Sequence, residues 1–577
     1  MHFATSSRVP SCGCRRPATR RVAAFARRAA ALGSCATYVT ASRRVGMRAA
    51  ARLSSALAAA GAGGASLASA IAFGSPAGTE ARSTPTSMGG GAVSFSPAPP
   101  PSDRPDMRLA LVQVLSRHGD RTSINPLPSE TREQWESLLP TDEASSTLDA
   151  RATPTPPNPR LLDARKPESW HGQLTTQGVA QLVHTGAALR AWLVDERALL
   201  PASLTDARSA GAVKIRSTST RRTVQSAQSL ILGLYPAETD SDAVASSSRA
   251  TSPEPLPIEV RDRMRESMFP NPGMACERQI ELMRSLDGDP SVKAAEAAAW
   301  ERASLTAVRQ EVHRRNLDAR RAERELAAAK ANAAGVSSPD SVGGEATVAD
   351  VSERPASNPA TNPNASPNDV SSASKRARDP RLPSATSVWE PLQARANHSL
   401  SLPGGVEDDD LAAIRRAAEV RYINRATNAE GAALAGGRLL RELADEAHAV
   451  ARGGSPTRLS VYSGHDSSII ALLAVLGAFG GEWPPVASTV VVETWTPSRD
   501  ARAVGRPHWS ARLGMAREEG EDMVRVVFNG EVLPLEGCAG QDSTRGGGLC
   551  SLDAFRAMAH ARDPKDYRAA CVAAAKL

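Results

Sequence analysis

Cysteine is scarce, with seven in 577 residues, and three of these (Cys12, Cys14 and Cys35) sit in an unusual first segment. The four that follow, Cys276, Cys538, Cys550 and Cys571, are too few for a disulfide scaffold. Cys538 and Cys550 flank a Gly-rich loop and are placed to bridge in an oxidising compartment. No Cys/His cluster has zinc-ligand spacing, which excludes a zinc-finger type of site, and no metal or other cofactor is expected. Beyond the first segment no run of 18 uncharged apolar residues occurs, so no transmembrane helix is predicted and any membrane contact is peripheral.

Acids and Lys are the other absence. Residues 1–90 hold twelve Arg, no Lys and one acid, Glu80, a net +11. The whole chain carries +7, so the remainder is mildly negative at −4. That balance gives the body no electrostatic reason to hold nucleic acid. The Arg-, Ala- and Ser-rich segment 1–82 reads as an organellar transit peptide or a disordered leader. A secretory signal built on Leu53–Ala70 is the rival, diluted by Ser54, Ser55 and several Gly. Residues 83–104 read as a Pro/Gly linker, leaving 105–577 as the folded part.

Within that part strands alternate with helices. Arg108–Leu115 and Ala212–Arg216 read as strands, as do Arg458–Tyr462, Ser488–Thr494 and Met523–Phe528. Helices are predicted over 171–200, over Thr223–Leu234 and through 409–451, and a long solvated helix over 295–330. The pattern implies an α/β sheet covered by helices on both faces. Residues 237–457 then supply a mostly helical cap. Within them 333–386 lose all periodicity and read as a disordered insertion.

Three short segments carry the chemistry. Arg117-His118-Gly119-Asp120-Arg121 follows the first strand directly, where α/β enzymes build their sites. An imidazole flanked by guanidinium groups suits attack on phosphorus, because the planar donors clamp phosphate oxygens in pairs. Arg216–Thr223 (RSTSTRRT) brings cations and hydroxyls to a helix start, and physics alone does not choose among Arg216, Arg221 and Arg222. His465-Asp466 follows the RLSVY strand. His465 suits hydrogen bonding to an anion, and Asp466 suits protonating a leaving oxygen. Burial raises such a carboxyl's pKa and nearby cations lower it, and sequence leaves that contest open.

In family order these segments resemble the histidine acid phosphatases, the branch-2 histidine phosphatases. RHGxRxP matches Arg117, His118, Gly119 and Arg121, with Ser123 in place of the usual Pro. The GQLTxxG segment matches Gly172–Gly178. RSTDxDRT matches Arg216–Thr223, with Ser219 and Arg221 where acids are common. The resemblance implies a phosphoglycerate mutase-like sheet flanked by helices. It implies His118 as nucleophile, Arg117, Arg121, Arg222 and His465 as phosphate-binding groups, and Asp466 as proton donor.

Pro126-Leu127-Pro128, Trp483-Pro484-Pro485, Gly548-Leu549-Cys550 and Asp563–Arg568 add a likeness to the mitochondrial lysophosphatidic acid phosphatase branch. That implies a lysophospholipid as the small phosphorylated substrate and a mitochondrial destination, with plastid or secretion as alternatives. The competing functions are an acid phosphatase or phytase-like enzyme on a polar phosphorylated metabolite, and a noncatalytic phosphate- or lipid-binding protein.

Overall fold

In the computed structural model the described residues are 95–101, 106–155, 170–236, 254–271, 274–333, 382–498, 521–535, 538 and 548–572. All belong to the compact unit Ser83–Leu577. The leader 1–82 and nearly all of the 333–386 insertion lie outside them.

Strand β1 (Met107–Arg117) occupies the middle of the sheet and is buried almost throughout. Val112 and Val114 face one apolar cluster, while Leu111 and Leu115 face the other. This is the period-two pattern of a strand covered on both sides. A register shift between Leu109 and Leu111 reverses the alternation, so Leu109 joins the Val112 side.

The other strands are β2 (Ala152–Pro154), β3 (Val213–Ser217), β4 (Leu256–Val260), β5 (Leu459–Gly464), β6 (Thr489–Pro497), β7 (Met523–Phe528), β8 (Glu531–Val532) and β9 (Cys550–Ser551). The spatial order is β2-β4-β3-β5-β1-β6-β7-β8, with β9 on β7. From β2 to β1 all pairs are parallel, and from β1 onward they are antiparallel. The parallel half therefore sends β1, β3 and β5 to one edge by their carboxyl ends.

Helices α1 (Thr176–Arg190) and α2 (Arg221–Leu234) cover the Val112 face through Leu182, Leu189, Leu230 and Ile231. The Thr175 hydroxyl caps α1 by accepting from the Gly178 N–H. A helical layer follows, made of α3 (Glu277–Asp287), α4 (Pro290–Trp300), α5 (Ala303–Ala333), α6 (Ala385–Asn397) and α7 (Asp408–Thr427). It has a core of its own around Leu305, Val388, Leu392, Ile414 and Trp483. The opposite face of the sheet is covered by α8 (Ala429–Ala451), α9 (Asp466–Val475) and α10 (Leu552–Arg562).

The differences from the sequence reading have local causes. β4 and α8, from the stretch read as cap, belong to the sheet and its covering layer. Pro257 disguises β4, because proline interrupts a ladder; here pairing with β3 begins only at Ile258, past the missing N–H. The 295–330 helix is two helices, α4 and α5, with Arg302 between them paired to Asp410. Part of the linker is packed: Phe95 and Ala98 are buried against the Trp192 side of the core, and Arg525 donates to the Pro99 carbonyl at 2.7 Å. Among the described residues there are two disulfides, Cys538–Cys550 and Cys276–Cys571, the latter tying the start of α3 to the C-terminal segment. No described helix is long and apolar enough to cross a membrane.

Candidate active site

His118 is the first residue past β1, and its backbone N–H donates to the Gly464 carbonyl at 3.0 Å, tying it to the end of β5. The loop that carries it lies against the start of α1. A Cβ on Gly119 would strike the Gly178 carbonyl oxygen, and one on Gly178 would strike that of Asp120. Two glycines from separate motifs thus let backbone meet backbone beside the imidazole. The Gly119 N–H donates to the Ser226 hydroxyl of α2 at 3.2 Å, fixing the loop from the other side.

The His118 ring is buried, and its Nδ1 lies 2.8 Å from the Gly119 carbonyl. A carbonyl only accepts, so Nδ1 carries the hydrogen and Nε2 keeps its lone pair. Burial, then the charges of Arg222, Arg117 and Arg121, hold His118 well below the usual histidine range. The imidazole is therefore neutral, with its lone pair on Nε2.

Around it stand the other residues that the sequence singles out. The His465 ring meets His118 edge-on, with centroids 5.6 Å apart. Arg222, in the first turn of α2, donates to His465 Nδ1 at 3.3 Å. His465 Nε2 then bears the hydrogen and donates to the Thr218 hydroxyl at 3.0 Å. As folded, His465 braces Arg222 and does not itself aim an N–H at an anion. Burial, then Arg222, also holds its pKa well below the ordinary value. Arg117 Nη2 lies 3.1 Å from Asp466 Oδ2. Burial pushes the Asp466 pKa up, but Arg117, Arg121 and His465 with the Ser467 N–H together bring it below the ordinary value. The contest left open by the sequence goes to the cations. Arg121 pairs with Glu390 of α6.

Among the three candidates in RSTSTRRT only Arg222 joins this group. Arg216 is buried elsewhere, 2.5 Å from Glu442 and 3.3 Å from Glu266, and Arg221 is exposed.

Sequence reading missed the walls of the site. A cavity of about 190 Å³ opens beside Arg117, Arg121 and Asp466, lined further by Ile124, Trp389, Glu390, Tyr422, Trp483 and Val486. Phe269 stacks on His465 with centroids 5.4 Å apart. Asp120 is locked by Thr175 at 2.8 Å, Asn397 at 3.1 Å and His398, joining the His118 loop to the end of α6. Asp120 stood in the motif and Trp483 in a noted tripeptide, whereas nothing in the α6 sequence marks its nearness to His118.

Low histidine pKa values set the sign of a pH effect on stability. An unfolded chain takes up protons near pH 6.5, the ordinary histidine value, whereas folded His118 and His465 resist doing so. The unfolded state then binds more protons, so stability declines as pH falls through 6.5 toward the depressed folded values. Thermal unfolding should show Tm dropping between pH 7.5 and 5. The drop should be smaller in His118→Ala, and an equal drop in that variant would remove His118 from the cause.

The geometry can be set beside known proteins. The family model of the histidine phosphatase superfamily (branch 2) matches residues 108–284 and 407–529. This chain is a branch-2 histidine phosphatase. It is accordingly a hydrolase of phosphomonoesters, with the α/β fold of that superfamily. Counting factor 60 of Dictyostelium discoideum is 25% identical over 82% of this chain and 91% of its own. Human testicular acid phosphatase is 25% identical over 68% of this chain and 69% of its own. Bovine lysophosphatidic acid phosphatase type 6 is 30% identical, but over only 26% of this chain and 37% of its own. Among solved structures, the apo form of a Hafnia alvei phytase aligns with 81% of this chain and 98% of its own, at 13% identity and a TM-score of 0.44. The family match spans 108–284 and 407–529, and Trp389 and Glu390 on α6, which line the cleft, lie between those two segments.

Proposed function

We propose that this branch-2 histidine phosphatase is an acid phosphatase for monophosphate esters with compact, uncharged leaving groups. His118 Nε2 attacks phosphorus as the ester P–O bond breaks, and Asp466 gives its proton to the departing oxygen. Arg117, Arg121 and Arg222 carry the charge of the transferring phosphoryl group, with His465 bracing Arg222. Water next attacks the phosphohistidine, the P–N bond breaks, and a proton from that water returns to Asp466. The products are an alcohol and inorganic phosphate.

The observation that carries the substrate class is the cleft lining. Beyond Arg117 and Arg121 it offers Ile124, Trp389, Tyr422, Trp483 and Val486, and the remaining charges among the described lining residues are the carboxylates Asp120, Glu390 and Asp466. A second phosphate would meet carboxylates there, which disfavours polyphosphorylated substrates. At about 190 Å³ the cavity also falls below the roughly 300–1,000 Å³ usual for drug-sized ligands. A long acyl chain would extend out of it, which disfavours the lysophosphatidic acid reading.

The test is a panel of p-nitrophenyl phosphate, glycerol phosphate, lysophosphatidic acid and inositol hexakisphosphate. The first two should exceed the hexakisphosphate in kcat/KM by at least about tenfold. A preference for the hexakisphosphate would end the reading. So would lysophosphatidic acid turned over more than about tenfold better than glycerol phosphate.

The destination is part of the proposal. Two disulfides fit an oxidising compartment, which favours the secretory alternative over an organelle's reducing interior. A fluorescent fusion of residues 1–104 should enter the secretory pathway, and delivery to a mitochondrial or plastid interior would overturn that choice.

A further inference from the structure

Asp466 has two oxygens, and the structure treats them differently. Oδ2 lies 3.1 Å from Arg117 Nη2 and accepts the Trp483 indole N–H at 3.2 Å. Oδ1 accepts the Ser467 backbone N–H at 2.7 Å. A carboxylate offers about two acceptor sites on each oxygen. Oδ2 is thus held by the charge of Arg117 as well as the indole N–H, whereas among the described residues Oδ1 meets only the Ser467 N–H.

Trp483 is held rigidly enough to impose this choice. Its ring is buried in the core of the helical layer, 4.6 Å from the Trp389 ring and 4.4 Å from the Tyr422 ring, both edge-on. Its backbone N–H donates to Glu419 of α7 at 3.3 Å. The next residue, Pro484, accepts from Arg117 Nη1 through its carbonyl. Residues 483–484 thus touch both members of the Arg117–Asp466 pair while their aromatic anchor belongs to the cap.

We propose that Trp483 is a positioning residue for the proton-donating carboxyl. Its indole N–H and Arg117 together hold Oδ2, and so fix Oδ1 as the oxygen that carries the proton to the leaving group. This rests on the role of Asp466 given above and goes beyond it, since it names which oxygen works and what orients it. Losing the indole N–H has two effects. The carboxyl can rotate and present the wrong oxygen, which harms substrates that need the proton. A donor that favoured the ionised form is also gone, which raises the carboxyl pKa and moves the alkaline fall in rate to higher pH.

Trp483→Phe keeps an aromatic ring and removes the donor. Its kcat should fall about tenfold on glycerol phosphate and less than about threefold on p-nitrophenyl phosphate, whose leaving group hardly needs a proton. The alkaline fall in kcat should move up by about half a pH unit. Equal losses on both substrates with an unmoved pH profile would reduce Trp483 to a packing residue and overturn the proposal, as would no loss at all. If Trp483→Phe does not fold, Trp483→His is read instead, since its ring restores an N–H. A ratio between the two substrates within about threefold of wild type supports the proposal, and a collapsed ratio overturns it. Asp466→Asn separates the two levels. If it fails to discriminate between the substrates, the role of Asp466 is wrong. If it discriminates and the Trp483 variant does not, only the present inference falls.

Discussion

His118→Ala is expected to lower kcat on p-nitrophenyl phosphate by on the order of 10⁴-fold or more. Among the described residues around His118 no other side chain is placed to replace it. The nearby hydroxyls of Thr218 and Thr223 are bonded to each other at 2.8 Å, and Thr223 also reaches the Thr220 carbonyl. His465 has both nitrogens engaged. The guanidinium groups would still bind phosphate, so KM should change far less than kcat. Wild-type enzyme mixed with labelled substrate and quenched in alkali should retain phosphate on His118, because the P–N bond resists base and yields to acid. Label recovered on another residue, or label surviving in the Ala variant, would remove His118 from the reaction.

The second large effect belongs to Asp466→Asn, where the loss should depend on the leaving group. On glycerol phosphate kcat should fall about 10²- to 10⁴-fold, the usual worth of a positioned acid. On p-nitrophenyl phosphate it should fall by less than about tenfold, because a phenolate with an electron-withdrawing group departs unaided. The pH profile follows from two depressed pKa values. His118 must be neutral, and burial with the surrounding arginines keeps it neutral into acid. Asp466 must be protonated, and burial is outweighed by Arg117 and Arg121, so the free carboxyl ionises below the ordinary carboxylate value. A bound phosphate dianion offsets those cations and raises the Asp466 pKa in the complex. Activity should therefore be highest on the acid side and fall as pH rises, and the Asn variant should lose that alkaline fall. A wild-type profile flat from pH 5 to 8 would contradict the assignment.

The parts of the site that could be read from sequence are those in which one short segment contains both a structural and a chemical signal. β1 is a buried apolar run, and Arg117-His118-Gly119 is its direct continuation. RSTSTRRT spans a strand end and a helix start, so its place at the sheet edge beside His118 is legible in local structure, although only the folded chain separates Arg222 from the buried Arg216. The cleft walls were different. Trp389 and Glu390 sit on α6 after a low-complexity stretch, and their nearness to Arg121 is a tertiary fact with no periodic trace. The Cys276–Cys571 bridge joins residues 295 apart, a separation over which spacing says nothing. β4 was hidden by Pro257, whose cost depends on a neighbour strand that sequence does not display.

The central place of β1 has a consequence for how the protein is made. Both of its sheet neighbours, β5 and β6, lie far downstream, at Leu459–Gly464 and Thr489–Pro497. A nascent chain emerging from the ribosome therefore holds the His118 imidazole without the backbone that fixes it until β5 and β6 have been made. Pairings across so much sequence are intrinsically slow to form. The site therefore cannot assemble before β5 and β6 are made, and any fragment ending before residue 459 should be catalytically silent however much of its amino-terminal motif it retains.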